Sequence, residues 1–167
     1  IAPVVMNARI PYGRQSLDEE DLAAVRRVMQ GDWLTQGPAV PEFEGAVADL
    51  VGSKFAVAFS SGTAALHGAA FAGGIRPGDV IATTPLTFIA SLNCIRYVGA
   101  QPTLVDIDPE TFNIDIERVP EDISGLVAVH YAGLPVDLRK LRLRPRVVIE
   151  DAAHSLGAST PYGPVGN

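Results

Sequence analysis

Cysteine is nearly absent: Cys94 is the only one in 167 residues. A lone thiol cannot close an intrachain disulfide, which fits a reducing cytoplasm and excludes a disulfide-stapled scaffold. Lysine is almost as scarce, with Lys54 and Lys140 alone. Acidic residues outnumber basic ones, 19 to 13, for a formal net charge of −6, and no basic stripe is present. Nucleic acid and anionic membrane surfaces are therefore excluded as partners on charge. No apolar run approaches the roughly 20 residues of a membrane-spanning helix, and the opening "IAPVV" is too short for a signal peptide. Internal repeats and low-complexity linkers are missing as well. So are the two commonest nucleotide signatures, GxxxxGK[ST] and a GxGxxG placed after a strand.

What is present is ordinary globular sequence, 47% hydrophobic and 19% charged, long enough for one domain with a sizeable core. Residues 1–9 read as a tail of upstream or added sequence, and residues 10–167 as the domain. "SLDEEDLAAVRRVMQG" predicts a helix with a capping box from Ser16 and Glu19, an apolar face of Leu22, Val25, Val28 and Met29, and a stop at Gly31. "DWLTQGP" is a loop. "PEFEGAVADLVG" predicts a second helix ending at Gly52. Short β-like runs follow at 55–59, 80–84, 103–106, 126–130 and 147–150. Helical stretches lie at 63–72 and 87–97, with shorter ones at 115–119 and 137–141. Strands alternating with helices imply an α/β fold whose mostly parallel sheet is flanked by helices. Ligands in such sheets gather beyond the carboxyl ends of the strands.

After run 55–59 comes "SSGTAALH". Ser60, Ser61, Gly62 and Thr63 stand where a helix begins, and a helix's first turn offers unpaired N–H groups at a positive dipole end. Ser61, Gly62 and Thr63 are thus candidates for an anion cradle. "PLTFIAS" follows run 80–84, "YAG" follows 126–130, and "DAAH" follows 147–150. Each piece alone has a plainer reading. A small-residue turn can be tight packing, Phe88 core, Asp151 a helix cap, and His154 a structural histidine. Together they suit one ligand, a phosphate-bearing aromatic ring with a basic nitrogen. A carboxylate beside a pyridine nitrogen keeps it protonated and turns the ring into an electron sink. That ligand is pyridoxal phosphate.

The chain resembles the N-terminal part of the DegT/DnrJ/EryC1/StrS family of sugar-nucleotide aminotransferases. The resemblance runs from about Ile10 to Asn167, over "IPYGRQSLDEEDLAAV", "DWLTQGPAVPEFE", "SSGTAALH", "TTPLTFIASLNCIRYVGAQPTLVDIDPETFNID", "VHYAGLPVDL" and "VIEDAAHSLGA". It implies the large domain of a fold type I, aspartate-aminotransferase-like enzyme that uses pyridoxal phosphate. Gly62 and Thr63 then match the phosphate cradle, Phe88 the aromatic stacked on the ring, Asp151 the partner of the pyridine nitrogen, and His154 a position near the ring hydroxyl. "PYGRQ", "DWLTQGP" and "NCIRYVGAQP" are most similar to the pseudaminic-acid branch, whose aminotransferase installs an amine on a UDP-linked deoxysugar.

The resemblance further implies a nucleotide-sugar substrate, glutamate as amino donor, a cytoplasmic homodimer with "DWLTQGP" near the shared boundary, and no metal. It places the Schiff-base lysine beyond Asn167, so residues 1–167 alone are expected to be inactive and to expose an apolar patch. Lys54 and Lys140 do not match that lysine. A sugar dehydratase of the same family is one alternative. A truncated paralogue that binds a ligand or pairs with another subunit is the other.

Overall fold

The computed structural model describes residues 14–142 and 144–166. They fall into two compact units, divided between Val40 and Pro41. The expected tail at 1–9, its boundary with the domain, and most of "IPYGRQ" lie outside the described residues.

The first unit contains α1 (Glu19–Met29). Its capping box does not use Ser16 and Glu19. Asp18 Oδ1 accepts from the N–H groups of Glu20 and Asp21, and the Asp18 N–H donates back to Asp21 Oδ2. A carboxylate at the positive end of the helix outcompetes an upstream hydroxyl. The predicted apolar face is present but not buried, and Leu22, Val25 and Met29 stay exposed. One helix and one loop supply no second apolar surface for it within this unit. In the loop, Trp33 is itself exposed. A Cβ on Gly37 would come within 2.8 Å of the Trp33 Cβ, so that turn requires glycine.

The second unit begins within α2 (Ala39–Val51), which buries Ala48 and Val51 and ends at Gly52, φ 73°. Residues 55–59, predicted as a strand, pair with no described strand. Phe55, Val57 and Phe59 are exposed. The alternating apolar pattern is there, but a strand exists only by its ladder, which is set by distant sequence. Two side-chain hydrogen bonds hold the segment, from the Ala58 N–H to Glu44 Oε1 at 2.8 Å and from Ser53 Oγ to the Phe55 carbonyl at 3.0 Å.

The remaining elements alternate as expected: α3 (Gly62–Ala72), β1 (Val80–Thr83), α4 (Ala90–Tyr97), β2 (Gln101–Leu104), β3 (Gly125–Val129) and β4 (Val147–Asp151). A two-residue hairpin, β5 (Ser159–Thr160) and β6 (Gly163–Pro164), follows. The stretches 115–119 and 137–141 are single 3₁₀ turns, Ile116–Arg118 and Leu138–Lys140, each opened by an aspartate side chain. Runs this short cannot repay helix nucleation, and Pro120 and Pro145 lie just beyond.

The sheet is wholly parallel in the order β2-β1-β3-β4. All five residues of β3 are buried, as a central strand covered on both faces requires. Period-two alternation divides the core. Ile81, Val127 and Ile149 face a cluster with Leu66 of α3 and Cys94 of α4. Ala82, Leu126 and Ala128 join Val105, Ile116 and Val136. No helix of the described residues is long and apolar enough to cross a membrane.

Candidate active site

The chain leaves β1 toward β2 on one side and then crosses back to β3 on the other. The strand order therefore reverses between β1 and β3, the switch point beyond whose carboxyl ends α/β sheets bind their ligands. Thr83 ends β1 and Thr84 follows it, His130 follows β3, and Asp151 closes β4.

α3 delivers its first turn to the same edge. Its last turn is pinned to the opposite, amino-terminal edge, where Arg146 donates to the Gly73 and Gly74 carbonyls at 3.4 and 3.1 Å and to Asp79 Oδ2 at 2.7 Å. The backbone N–H of Arg76, first, and Arg146 hold the Asp79 carboxyl below its usual range. A helix of 11 residues, about 16 Å long, then points its start at the carboxyl edge.

Ser61 is the N-cap. Its side chain accepts from the Ala64 N–H at 3.2 Å, and its carbonyl from the Ala65 N–H at 3.0 Å. The N–H groups of Gly62 and Thr63 are left without an intrahelical acceptor. A Cβ on Gly62 would meet nothing within 4 Å, so the fold does not itself demand glycine there.

Asp151 is half-buried and held on both oxygens. Ser91 Oγ, in the first turn of α4, donates to Oδ2 at 2.6 Å, and the Ala153 N–H reaches Oδ1 at 3.3 Å. The same Ser91 hydroxyl lies 2.7 Å from Thr87 Oγ1 and 3.2 Å from the Phe88 carbonyl. Phe88 is thus two contacts from the carboxylate, with its ring 74% exposed.

His154 lies three residues past Asp151 on an exposed turn. Its backbone carbonyl would stand 2.9 Å from a Cβ on Gly133, so the "YAG" turn after β3 packs against the turn after β4. Asn113 clamps the "YAG" turn, accepting from the Tyr131 N–H at 2.8 Å and donating to the Leu134 carbonyl at 3.0 Å. Behind it, buried His130 accepts the Val136 N–H on Nδ1 at 3.0 Å, which leaves its proton on Nε2 to donate to Glu150 at 2.7 Å.

A cavity of about 480 Å³ lies elsewhere, between Val136–Arg139 and the β5–β6 hairpin. The Arg139 guanidinium stacks there, 3.3 Å from the Tyr162 ring centroid. None of the candidate residues lines it. Among the described residues no cluster of three or more His, Cys, Asp or Glu could hold a metal ion.

Residues 15–167 match the DegT/DnrJ/EryC1/StrS aminotransferase family. The chain belongs to this family. Solved structures agree. An aminotransferase from Psychrobacter cryohalolentis is 34% identical with a TM-score of 0.84, over 93% of this chain and 42% of that one. Helicobacter pylori PseC, an aminotransferase of pseudaminic acid biosynthesis, is 30% identical with a TM-score of 0.82, over 93% and 44%. Spr1654 from Streptococcus pneumoniae, solved in its PLP form, is 26% identical with a TM-score of 0.85, over 95% and 46%. The chain spans less than half the length of these proteins.

The fold is that of the fold type I aminotransferases, as expected. Phe88 and Asp151 follow the carboxyl ends of β1 and β4 and are linked through Ser91, Ser61, Gly62 and Thr63 open α3, and His154 stands beside Asp151 in sequence on the exposed turn. Sequence reading missed Ser91 and Thr87, which contact Asp151 directly and through one hydroxyl. Their four-residue spacing across the start of α4 was a usable signal. It also missed the His130–Glu150 pair, formed between the residue after β3 and a residue of β4, 20 positions apart.

Proposed function

We propose that this chain is the N-terminal, cofactor-binding part of an aminotransferase that places an amine on a nucleotide-linked keto-deoxysugar. The specific activity we assign is that of a UDP-4-amino-4,6-dideoxy-N-acetyl-β-L-altrosamine transaminase, with glutamate as donor and a cytoplasmic homodimer as the working form. Family membership supports the reaction class. Similarity to PseC, together with "DWLTQGP" and "NCIRYVGAQP", supports the substrate. The observation that carries the assignment is a carboxylate, Asp151, fixed by Ser91 on the same sheet edge as the free N–H groups of α3.

This donor set fits pyridoxal phosphate: free N–H groups for a dianion, an exposed aromatic face, and a carboxylate for a basic ring nitrogen. When bound, that group supplies a ring able to delocalise negative charge from a substrate carbon. Gly62 and Thr63 hold its phosphate, and the Ser61 hydroxyl keeps its own proton free to donate to the same anion. Phe88 covers one face of the ring and excludes water from it. Asp151 holds a proton on the ring nitrogen, and His154 meets the ring hydroxyl.

The test uses the complete protein, a UDP-linked 4-keto sugar and ¹⁵N-glutamate. The wild type is expected to return ¹⁵N-labelled amino sugar. Asp151→Asn should retain cofactor but lose at least about 100-fold in turnover, since a neutral amide no longer favours the protonated ring. Near-normal transfer by that variant overturns the role of Asp151. A product without ¹⁵N overturns the aminotransferase assignment in favour of the dehydratase.

A further inference from the structure

Proton counting at Ser91 gives its hydroxyl a direction. Ser91 Oγ has three oxygen neighbours: Asp151 Oδ2 at 2.6 Å, Thr87 Oγ1 at 2.7 Å and the Phe88 carbonyl at 3.2 Å. A serine hydroxyl has one proton and two acceptor lone pairs. A carboxylate and a carbonyl can only accept. The Phe88 carbonyl already accepts the Ser91 backbone N–H at 3.1 Å. The Asp151 contact is the shortest and falls in the range of charge-assisted O–H···O⁻ bonds. The Ser91 proton therefore belongs to Asp151, and Thr87, lacking an acceptor role toward Ser91, donates. The chain of donors runs Thr87 to Ser91 to Asp151 in that order. Ser91 is completely buried, so bulk water does not compete for its hydroxyl.

We propose that Ser91, oriented by Thr87, is the positioning residue that fixes the Asp151 carboxylate for the ring nitrogen of the cofactor. This rests on the reading of Asp151 as that nitrogen's partner. Ser91 occupies a lone pair of Oδ2 and the Ala153 N–H one of Oδ1, so the carboxylate plane is set from both sides. The free lone pairs then have one orientation in which to meet a ring N–H. Ser91 also ties this carboxylate to the segment bearing Phe88, so one hydroxyl registers the nitrogen partner against the stacking ring. Freed of that bond, the carboxylate can rotate about its side-chain torsions and lose its alignment.

The experiment uses the complete protein and pyridoxamine phosphate labelled with ¹⁵N in the ring, which has no aldehyde to react with any lysine. The ring-nitrogen pKa is read from the ¹⁵N shift, free and bound. In the wild type it should rise on binding by about 1–3 units. Asp151→Asn should abolish the rise. Ser91→Ala should lose about one unit of it or more, Ser91→Thr should restore most, and Thr87→Val should lose a smaller part. Circular dichroism should be unchanged in all four variants. An undiminished rise in Ser91→Ala, with the rise absent in Asp151→Asn, overturns the role of Ser91 and leaves that of Asp151 standing. A rise that survives in Asp151→Asn, or is missing in the wild type, overturns both.

Discussion

Cys94 shows how one residue's chemistry is set by its surroundings. Its side chain, on α4, is fully buried against α3 and the sheet, with the thiol 3.2 Å from the Ser91 carbonyl. Burial first, with the nearby Asp151 charge adding to it, pushes the thiol from 9.0 up to about 11. A thiol reagent at pH 8 should therefore label native chain far more slowly than chain unfolded in guanidinium, where the same cysteine is exposed and more acidic. The pH dependence of stability has a definite sign. The unfolded state releases this proton at lower pH than the folded state. The contribution is thus whole below pH 9 and is lost between about 9 and 11, on the order of 3 kcal/mol at most. Denaturant melts at pH 8 and pH 10.5 should show the loss, and Cys94→Ala should shrink it. Equal stability of the wild type at both values would contradict the buried thiol. The place of Asp151 at the end of a strand was legible because a carboxylate closing an apolar run is a local pattern. Ser91 was not, because its bond to Asp151 spans 60 positions.

At the scale of elements, the turns after the strands do the positioning. Tyr131–Gly133 departs from regular geometry twice, with Ala132 at φ 51° and Gly133 at φ 90°. Gly133 also faces the His154 carbonyl at 2.9 Å from its would-be Cβ. Gly133→Ala should therefore cost about 1–3 kcal/mol through backbone strain and contact with a main-chain oxygen. It should also shift the amide resonances of residues 152–155. Gly62→Ala is the contrast, since its Cβ meets nothing and its site opens a helix, so thermal stability should not fall. Equal melting temperatures for Gly133→Ala and wild type would show that the two turns are not packed together. The same elements set the limit of sequence reading. Runs 80–84, 126–130 and 147–150 were legible because each is an apolar segment between clear turn signals. Run 103–106 was displaced, to Gln101–Leu104, because the register follows Asp79 and β1 and not hydrophobicity: Gln101 N–H donates to the Asp79 carbonyl.

At the scale of the whole molecule, the division between paired and unpaired apolar sequence should appear directly in stability. Phe55 and Val57 are 75% and 69% exposed, whereas Ile81 and Val127 are fully buried. A buried aliphatic side chain contributes about 1.5–3 kcal/mol, and its truncation also leaves a cavity. An exposed one contributes a small fraction of that. The double variant Phe55→Ser, Val57→Ser should therefore melt within about 0.5 kcal/mol of the wild type, while Ile81→Ala alone should cost about 2–5 kcal/mol. Phe59 lies between these cases. It is 48% exposed, but its ring sits 2.5 Å from where a Cβ on Gly68 would be, so it seals the outer face of α3. Phe59→Ser should accordingly destabilise more than the double variant and less than Ile81→Ala. An exposed run of alternating apolar residues is also a pairing hazard. Sedimentation velocity should thus show the wild type associating as its concentration rises, and the double variant associating less. If the double variant instead melts as low as Ile81→Ala, residues 55–57 are buried in the folded chain in solution, and the unpaired arrangement of this segment is wrong.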